Sequence, residues 1–189
     1  FEGVDTMSLT AHKFYGLNGI GLLLKRRNLA LEPLIHGGES TTLYRSGTPT
    51  VALASSLALA LELAVEQLPQ HRDAVRKANA FLRAELSRYP KVRINSPENA
   101  IPQILNLSVQ DVKGTVFQRA LDEKGVCVSV KSACSSDGMP SRAVFAVSRD
   151  RRNALSSWRI SLSHLTTEED LRGFLAAFDA CYRELTETH

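Results

Sequence analysis

The chain has 189 residues, 43% of them hydrophobic, and 23 Lys and Arg face 20 Asp and Glu for a net charge of +3. That is enough apolar material for one large domain, or a domain with an appendage. The cations are dispersed, with Lys25-Arg26-Arg27 and Arg149-Asp150-Arg151-Arg152 as small clusters expected in solvated turns, which argues against a nucleic-acid surface. Three cysteines at irregular spacing exclude a disulfide framework and a paired-cysteine metal motif and favour a reducing cytoplasm.

In chain order, the first chemical signal is Ser8-Leu9-Thr10-Ala11-His12-Lys13, a strand-like stretch ending in a lysine, followed by Gly16, Gly19 and Gly21. A lysine at a strand end can be held out of bulk water, which lowers its pKa and suits the amine to Schiff-base chemistry; the alternative is a solvated lysine beside a turn. Two glycine-bearing segments follow, His36-Gly37-Gly38-Glu39 and Tyr44-Arg45-Ser46-Gly47-Thr48-Pro49. From Thr50 to Leu68 the chain is almost continuously apolar, but it contains Glu62, Glu66, Ser55 and Ser56 and starts after a proline. A helix packed inside protein is therefore expected rather than a membrane span. His71 to Tyr89 carries Val75, Ala78, Phe81, Leu82 and Leu86 at helical spacing and stops at Pro90.

Short strands are expected over Val92 to Ile94 and Ile104 to Val109, then a helix from Gly114 to Lys124 closed by Gly125. A strand over Val126 to Val130 leads into Lys131-Ser132-Ala133-Cys134-Ser135-Ser136, which places Cys134 on an exposed loop beside a cation, where a thiolate can form. Cys127, inside that strand, and Cys181, in the last helix, fit the alternative of packed, inert thiols. The interval from Cys134 to Arg159 is long, charged and serine-rich, as a swinging loop would be. Trp158 to Leu162 reads as a strand in which Arg159 alternates with inward-looking Trp158 and Ile160. Thr166-Thr167-Glu168-Glu169 opens a final helix to about Leu185. Alternating strands and helices without repeats make the class α/β.

Several of these segments, in this order, resemble the cysteine desulfurases of the class V aminotransferase family, enzymes that use pyridoxal phosphate (PLP). The resemblance rests on Thr10-Ala11-His12-Lys13 with its glycines, on the glycine-bearing segment ending Arg45-Ser46-Gly47-Thr48, on Ser132-Ala133-Cys134-Ser135-Ser136, and on Ser156-Ser157-Trp158-Arg159-Ile160-Ser161. It implies the fold of type I PLP transferases, with residues 1–48 ending the large PLP domain and 49–189 forming the linking helix and small C-terminal domain. By the same resemblance Lys13 holds PLP, and Thr10 and His12 contact the cofactor, His12 also assisting proton transfer, against the alternative of a packed histidine. Thr48 reaches the phosphate in a neighbouring subunit of a homodimer, a role that capping the next helix would rival. Arg159 grips the substrate carboxylate, against the rival of a surface salt bridge, and Cys134 takes sulfur from L-cysteine as a persulfide for a sulfur-acceptor protein, leaving L-alanine.

The match corresponds only to the later half of a typical family member. The aspartate facing the pyridine nitrogen and the histidine stacked on the ring, both in the earlier half, have no counterpart here. The expectation is therefore a fragment or split subunit with no metal, nucleic-acid or membrane partner. The alternatives are a selenocysteine lyase on the same scaffold, or a non-catalytic chain that dimerises or docks a sulfur acceptor. The chain departs from the family at Gly37-Gly38-Glu39-Ser40 and at Lys131, where further glycine is usual.

Overall fold

The computed structural model describes residues 2–38, 42–130 and 139–187. Its elements are α-helices and short antiparallel strands in two compact units, Phe1–Leu68 and Pro69–His189. The division falls at the junction of two helices, beyond the Thr48–Pro49 boundary expected from the family pattern.

In the first unit, β1 (Thr6–Thr10) and β2 (Gly21–Lys25) form an antiparallel hairpin in register from Thr6 opposite Lys25 to Thr10 opposite Gly21. The second strand was not apparent in the sequence, because Gly21-Leu22-Leu23-Leu24-Lys25 lacks the polar alternation of a half-buried strand. Residues 11–20 connect the two, beginning with a single 3-10 turn at Ala11–Lys13. Beyond β2, the Lys25 ammonium donates to the carbonyls of Arg26 at 3.0 Å, Arg27 at 3.5 Å and Leu29 at 2.8 Å and lies 5.2 Å from the Tyr44 ring centroid. Arg26 pairs with Asp5 at 3.3 Å. This basic cluster thus ties down the hairpin base instead of forming a solvated turn.

Helix α1 (Val51–Glu66) closes the unit, and of its residues only Leu57 is buried. The expectation of a buried helix is not met within this chain, since Val51, Leu59, Leu63 and Val65 are all exposed. The apolar residues run around the whole helix, so the turn at Ala11–Lys13 can cover one stripe alone, and burying the rest needs further protein. No single helix among the described residues is long and apolar enough to cross a membrane.

In the second unit α2 (Leu68–Leu86) is amphipathic, burying Val75, Ala78, Asn79, Leu82 and Leu86. A three-stranded antiparallel sheet follows in the order β3 (Val92–Ile94), β4 (Ile104–Val109), β5 (Ser157–Ser161). Period-two alternation divides its residues: Leu105, Leu107 and Val109 of β4 and Trp158 and Ile160 of β5 enter the core, while Asn106 and Arg159 stand opposite each other in register. The core is completed by Phe117 and Leu121 of α3 (Gly114–Asp122) and by Phe174, Phe178, Cys181 and Tyr182 of α6 (Glu168–Glu187). Trp158, fully buried, lies 5.2 Å from Phe117 in a stacked arrangement. Helix α6 starts with a reciprocal cap, Asp170 N–H donating to Thr167 Oγ1 at 3.1 Å and Thr167 N–H donating to the Asp170 carboxylate at 2.8 Å.

Two expectations are corrected in this unit. Residues Val126–Val130 do not form a strand of the sheet; they make one antiparallel bridge, Ser129 to Arg159. Val126, Val128 and Val130 pack against the core while Cys127, on the alternate side, is exposed rather than packed, its Sγ 3.8 Å from Asp122 Oδ1. The interval between Cys134 and Arg159 is not all loop either. It holds α4 (Arg142–Ser148), capped by Ser141, and α5 (Arg151–Ser156), capped by Asp150. Serines and aspartates that read as loop residues serve there as helix caps.

Candidate functional site

The amine-bearing turn is set by three backbone bonds. Ala11 N–H donates to Ile20 O at 3.3 Å across the hairpin mouth, and Phe14 N–H and Gly16 N–H both donate to Ala11 O, at 3.0 and 2.9 Å. Ala11 is fully buried, and a Cβ on Gly16 would fall 2.8 Å from Ala11 Cβ and 3.1 Å from Ala60 Cβ. Glycine is therefore required at 16 for the turn to close on itself against α1. This folding places Thr10, His12 and Lys13 within four consecutive residues at the end of β1, Thr10 Oγ1 lying 3.1 Å from His12 Nδ1. Lys13 and His12 are exposed in this chain, so the expected desolvation of the lysine is not provided by these residues alone: α1 approaches Gly16 through Ala60 and Gly19 through Leu53 and leaves His12 and Lys13 exposed.

The two glycine-bearing segments are brought side by side. Ser46 N–H donates to Ile35 O at 3.2 Å, Ser46 Oγ donates to His36 O at 2.9 Å, and Ile35 and Arg45 form a parallel bridge. A Cβ on Gly37 would lie 2.7 Å from Ser46 Oγ, so the close approach explains that glycine. Gly47 adopts φ of 105°, and Thr48 after it is exposed. Thr48 does not cap α1; the N-cap is Thr50, two residues on.

In the second unit Arg159 is half-buried, and its Nε is a buried donor with no hydrogen-bond partner among the described residues. Such an orphaned cationic donor invites an anion with two oxygens. Its backbone exchanges two hydrogen bonds with Ser129, Arg159 N–H to Ser129 O at 2.7 Å and Ser129 N–H to Arg159 O at 3.2 Å. Cys134 and Lys131, like Glu39 and Ser40, lie outside the described residues. Burial pushes the Cys181 thiol pKa up, which suits an inert packed thiol.

Sequence reasoning missed a polar layer beside Arg159. Asn95 Nδ2 donates to Asn106 Oδ1 at 2.9 Å and to Ser108 Oγ at 2.8 Å, Ser108 Oγ donates to Asn153 O at 3.0 Å, and Asn153 Nδ2 donates to Asn95 Oδ1 at 2.9 Å. The alternation of Asn106 and Ser108 with Leu105 and Leu107 was the available signal. Asn95 and Asn153, in a turn and a short helix, offered none.

A sequence profile described as Aminotransferase class-V matches residues 2–174. The chain belongs to the class V aminotransferase family. Among curated class V relatives, a cysteine desulfurase of Dictyoglomus turgidum is 36% identical over 186 residues, covering 97% of this chain and 47% of that protein. An IscS-like cysteine desulfurase of Mycobacterium tuberculosis is 32% identical over 174 residues, covering 90% and 44%. A solved structure of a NifS-like protein superposes with a TM-score of 0.83 at 32% identity over 98% of this chain and 47% of that one. The chain thus spans about half the length of the relatives it matches. Class V aminotransferases use PLP, and the donor set on the turn fits such a group: a primary amine for its aldehyde, with a hydroxyl and an imidazole beside it for its phosphate.

Proposed function

We propose that this chain is part of a PLP-dependent cysteine desulfurase, which converts L-cysteine to L-alanine and passes the sulfur, through a persulfide on Cys134, to an acceptor protein in a reducing cytoplasm. The observation that carries the reading is the contiguous Thr10, His12 and Lys13 on one turn, held by the close approach of Gly16 to Ala11 and Ala60. The orphaned Nε of Arg159 adds a fitting anchor for the substrate carboxylate.

In this reading Lys13 Nζ would hold the cofactor, Thr10 and His12 would face its phosphate, and Thr48 would serve the phosphate in the neighbouring subunit of a homodimer. When bound, PLP supplies the electron sink that stabilises negative charge at the substrate α-carbon. Lys13 Nζ then takes and returns the α-proton, and the Arg159 guanidinium fixes the substrate by its carboxylate. The Cys134 thiolate attacks the substrate sulfur; an S–S bond forms as the Cβ–S bond breaks, its electron pair staying on carbon, where a proton completes alanine. A thiolate of the acceptor then takes the outer sulfur.

The exposed apolar faces of α1 favour one refinement: the chain works together with further protein that covers α1 and supplies the rest of the cofactor site. The test is borohydride reduction of the full-length protein with PLP, followed by peptide mapping. The adduct is expected on Lys13 and absent in Lys13→Ala, whereas Cys134→Ser should keep it and lose persulfide. An adduct on another lysine, or sulfur transfer surviving Cys134→Ser, would overturn these assignments.

A further inference from the structure

We infer that Asn95 is a positioning residue for Arg159: it holds the Asn106 amide oxygen away from the guanidinium, so that Nε stays open to a carboxylate. This rests on the reading of Arg159 as the carboxylate anchor, to which it adds a second residue. Asn95, Asn106 and Arg159 make one row across the sheet. Asn106 and Arg159 are opposite in register, and Asn95, just past β3, donates its N–H to Asn106 O at 2.8 Å. A strand residue sends its N–H and C=O to the same side, and those of Arg159 both go to Ser129. Arg159 and Asn106 are therefore a non-hydrogen-bonded pair, the kind with Cα atoms only about 4.5 Å apart and side chains closest. The neighbour of Arg159 on the β4 side is thus a carboxamide, whose oxygen is a natural partner for a cationic N–H. Yet among the described residues Nε is buried without a hydrogen-bond partner and Arg159 enters no ion pair.

The amide orientations follow from one fixed end of the layer. Ser108 is 1% exposed, and its Oγ lies 3.0 Å from Asn153 O, a backbone carbonyl that can only accept, so the single hydroxyl proton is committed there. Toward Asn95, at 2.8 Å, Ser108 then offers a lone pair, which makes the Asn95 atom Nδ2. The second N–H of that Nδ2 is directed to Asn106 at 2.9 Å, and the Asn106 atom that accepts it is Oδ1. Asn153 Nδ2, donating to Asn95 Oδ1 at 2.9 Å, closes the set. With its oxygen on Asn95, the Asn106 carboxamide has only N–H groups at its other end, and a guanidinium, which carries donors alone, cannot use them. Removing the Asn95 amide frees the Asn106 oxygen to turn to Nε, where it competes with an incoming carboxylate.

Proton–nitrogen spectra of the full-length protein with nitrogen-15 arginine, without added PLP, follow the Arg159 Nε–H while sodium acetate is added at constant ionic strength. The signal is assigned by its loss in Arg159→Lys, and in the wild type it is expected to shift as acetate binds. Asn95→Ala and Asn95→Leu, which differ in their demands on packing, should weaken acetate about two- to tenfold, the effect of one ordinary competing hydrogen bond. Adding Asn106→Leu, which deletes the competing oxygen, should restore wild-type affinity to both, whereas a layer that merely stiffens the sheet would lose more with the second change. Unchanged affinity in the Asn95 variants, double variants as weak as the single ones, or a wild-type Arg159 signal indifferent to acetate would overturn the inference. Turnover of L-cysteine by the PLP-loaded wild type separates the two claims. Weakened and then restored acetate binding with no alanine formed upholds the inference and fails the desulfurase reading, and alanine formed while the Asn95 variants bind acetate unchanged does the reverse.

Discussion

Replacing Gly16 by alanine adds one methyl group at the point where the lysine turn meets α1. That methyl would sit 2.8 Å from Ala11 Cβ, 3.1 Å from Ala60 Cβ and 3.2 Å from Ala11 O. None of these is the far end of a flexible side chain; all three are fixed by backbone, so the turn itself must move. Overpacking of this kind costs about 1–3 kcal/mol. At roughly 2–4 °C per kcal/mol for a protein of this size, the melting temperature should fall by about 2–12 °C. Because the displaced residues flank Lys13, the yield of borohydride-trapped PLP at Lys13 should fall with it. Gly173→Ala in α6 is the matched control, since nothing lies within 4 Å of its added Cβ; there alanine should gain about 0.5–1 kcal/mol through the helix. A Gly16→Ala protein that melts with the wild type and labels Lys13 equally would refute the reasoning that glycine is needed for this closure.

Two further outcomes follow from the second unit. Asn153→Ala strips a donor from Asn95 Oδ1 in the polar layer beside Arg159 and should cost about 1–3 kcal/mol, read from the urea unfolding midpoint; an unchanged midpoint would mean that the layer is not a satisfied network. His164 stacks on His71 with centroids 3.5 Å apart, and burial first, then the charge of His71, holds its pKa below the ordinary 6.5. The unfolded chain therefore binds more protons, so this contribution to stability is complete above about 6.5 and is lost as the pH falls. Thermal melts from pH 8 to 5 should decline less for His164→Phe, which keeps a ring on His71, and parallel declines would count against the pair.

Much of the architecture was legible because amphipathic periodicity is strong where helices pack against a sheet. Val75, Ala78, Leu82 and Leu86 marked α2, and the alternation around Arg159 placed Trp158 and Ile160 inward. The order of motifs likewise carried the family. What escaped was decided by tertiary pairing. Nothing local distinguishes Gly21–Lys25, which pairs with β1, from Val126–Val130, which reads as a better strand yet makes one bridge. Composition marked the apolar helix α1 as buried, but a helix that is apolar all round takes its burial from neighbours, and this chain provides one stripe of them. Lys13 and Arg159 each stood out by residue type within its own segment, whereas the asparagine layer depends on side chains from three separate segments meeting.

The single tryptophan of the chain lies next to Arg159 in β5, sealed against solvent among Phe117, Phe174 and Phe178, its indole N–H without a hydrogen-bond partner among the described residues. That setting makes it an intrinsic optical probe. Its emission should be short in wavelength and shielded from aqueous quenchers, and any ligand that draws on the Arg159 guanidinium and shifts the strand would be read in the light of its immediate neighbour, without a label.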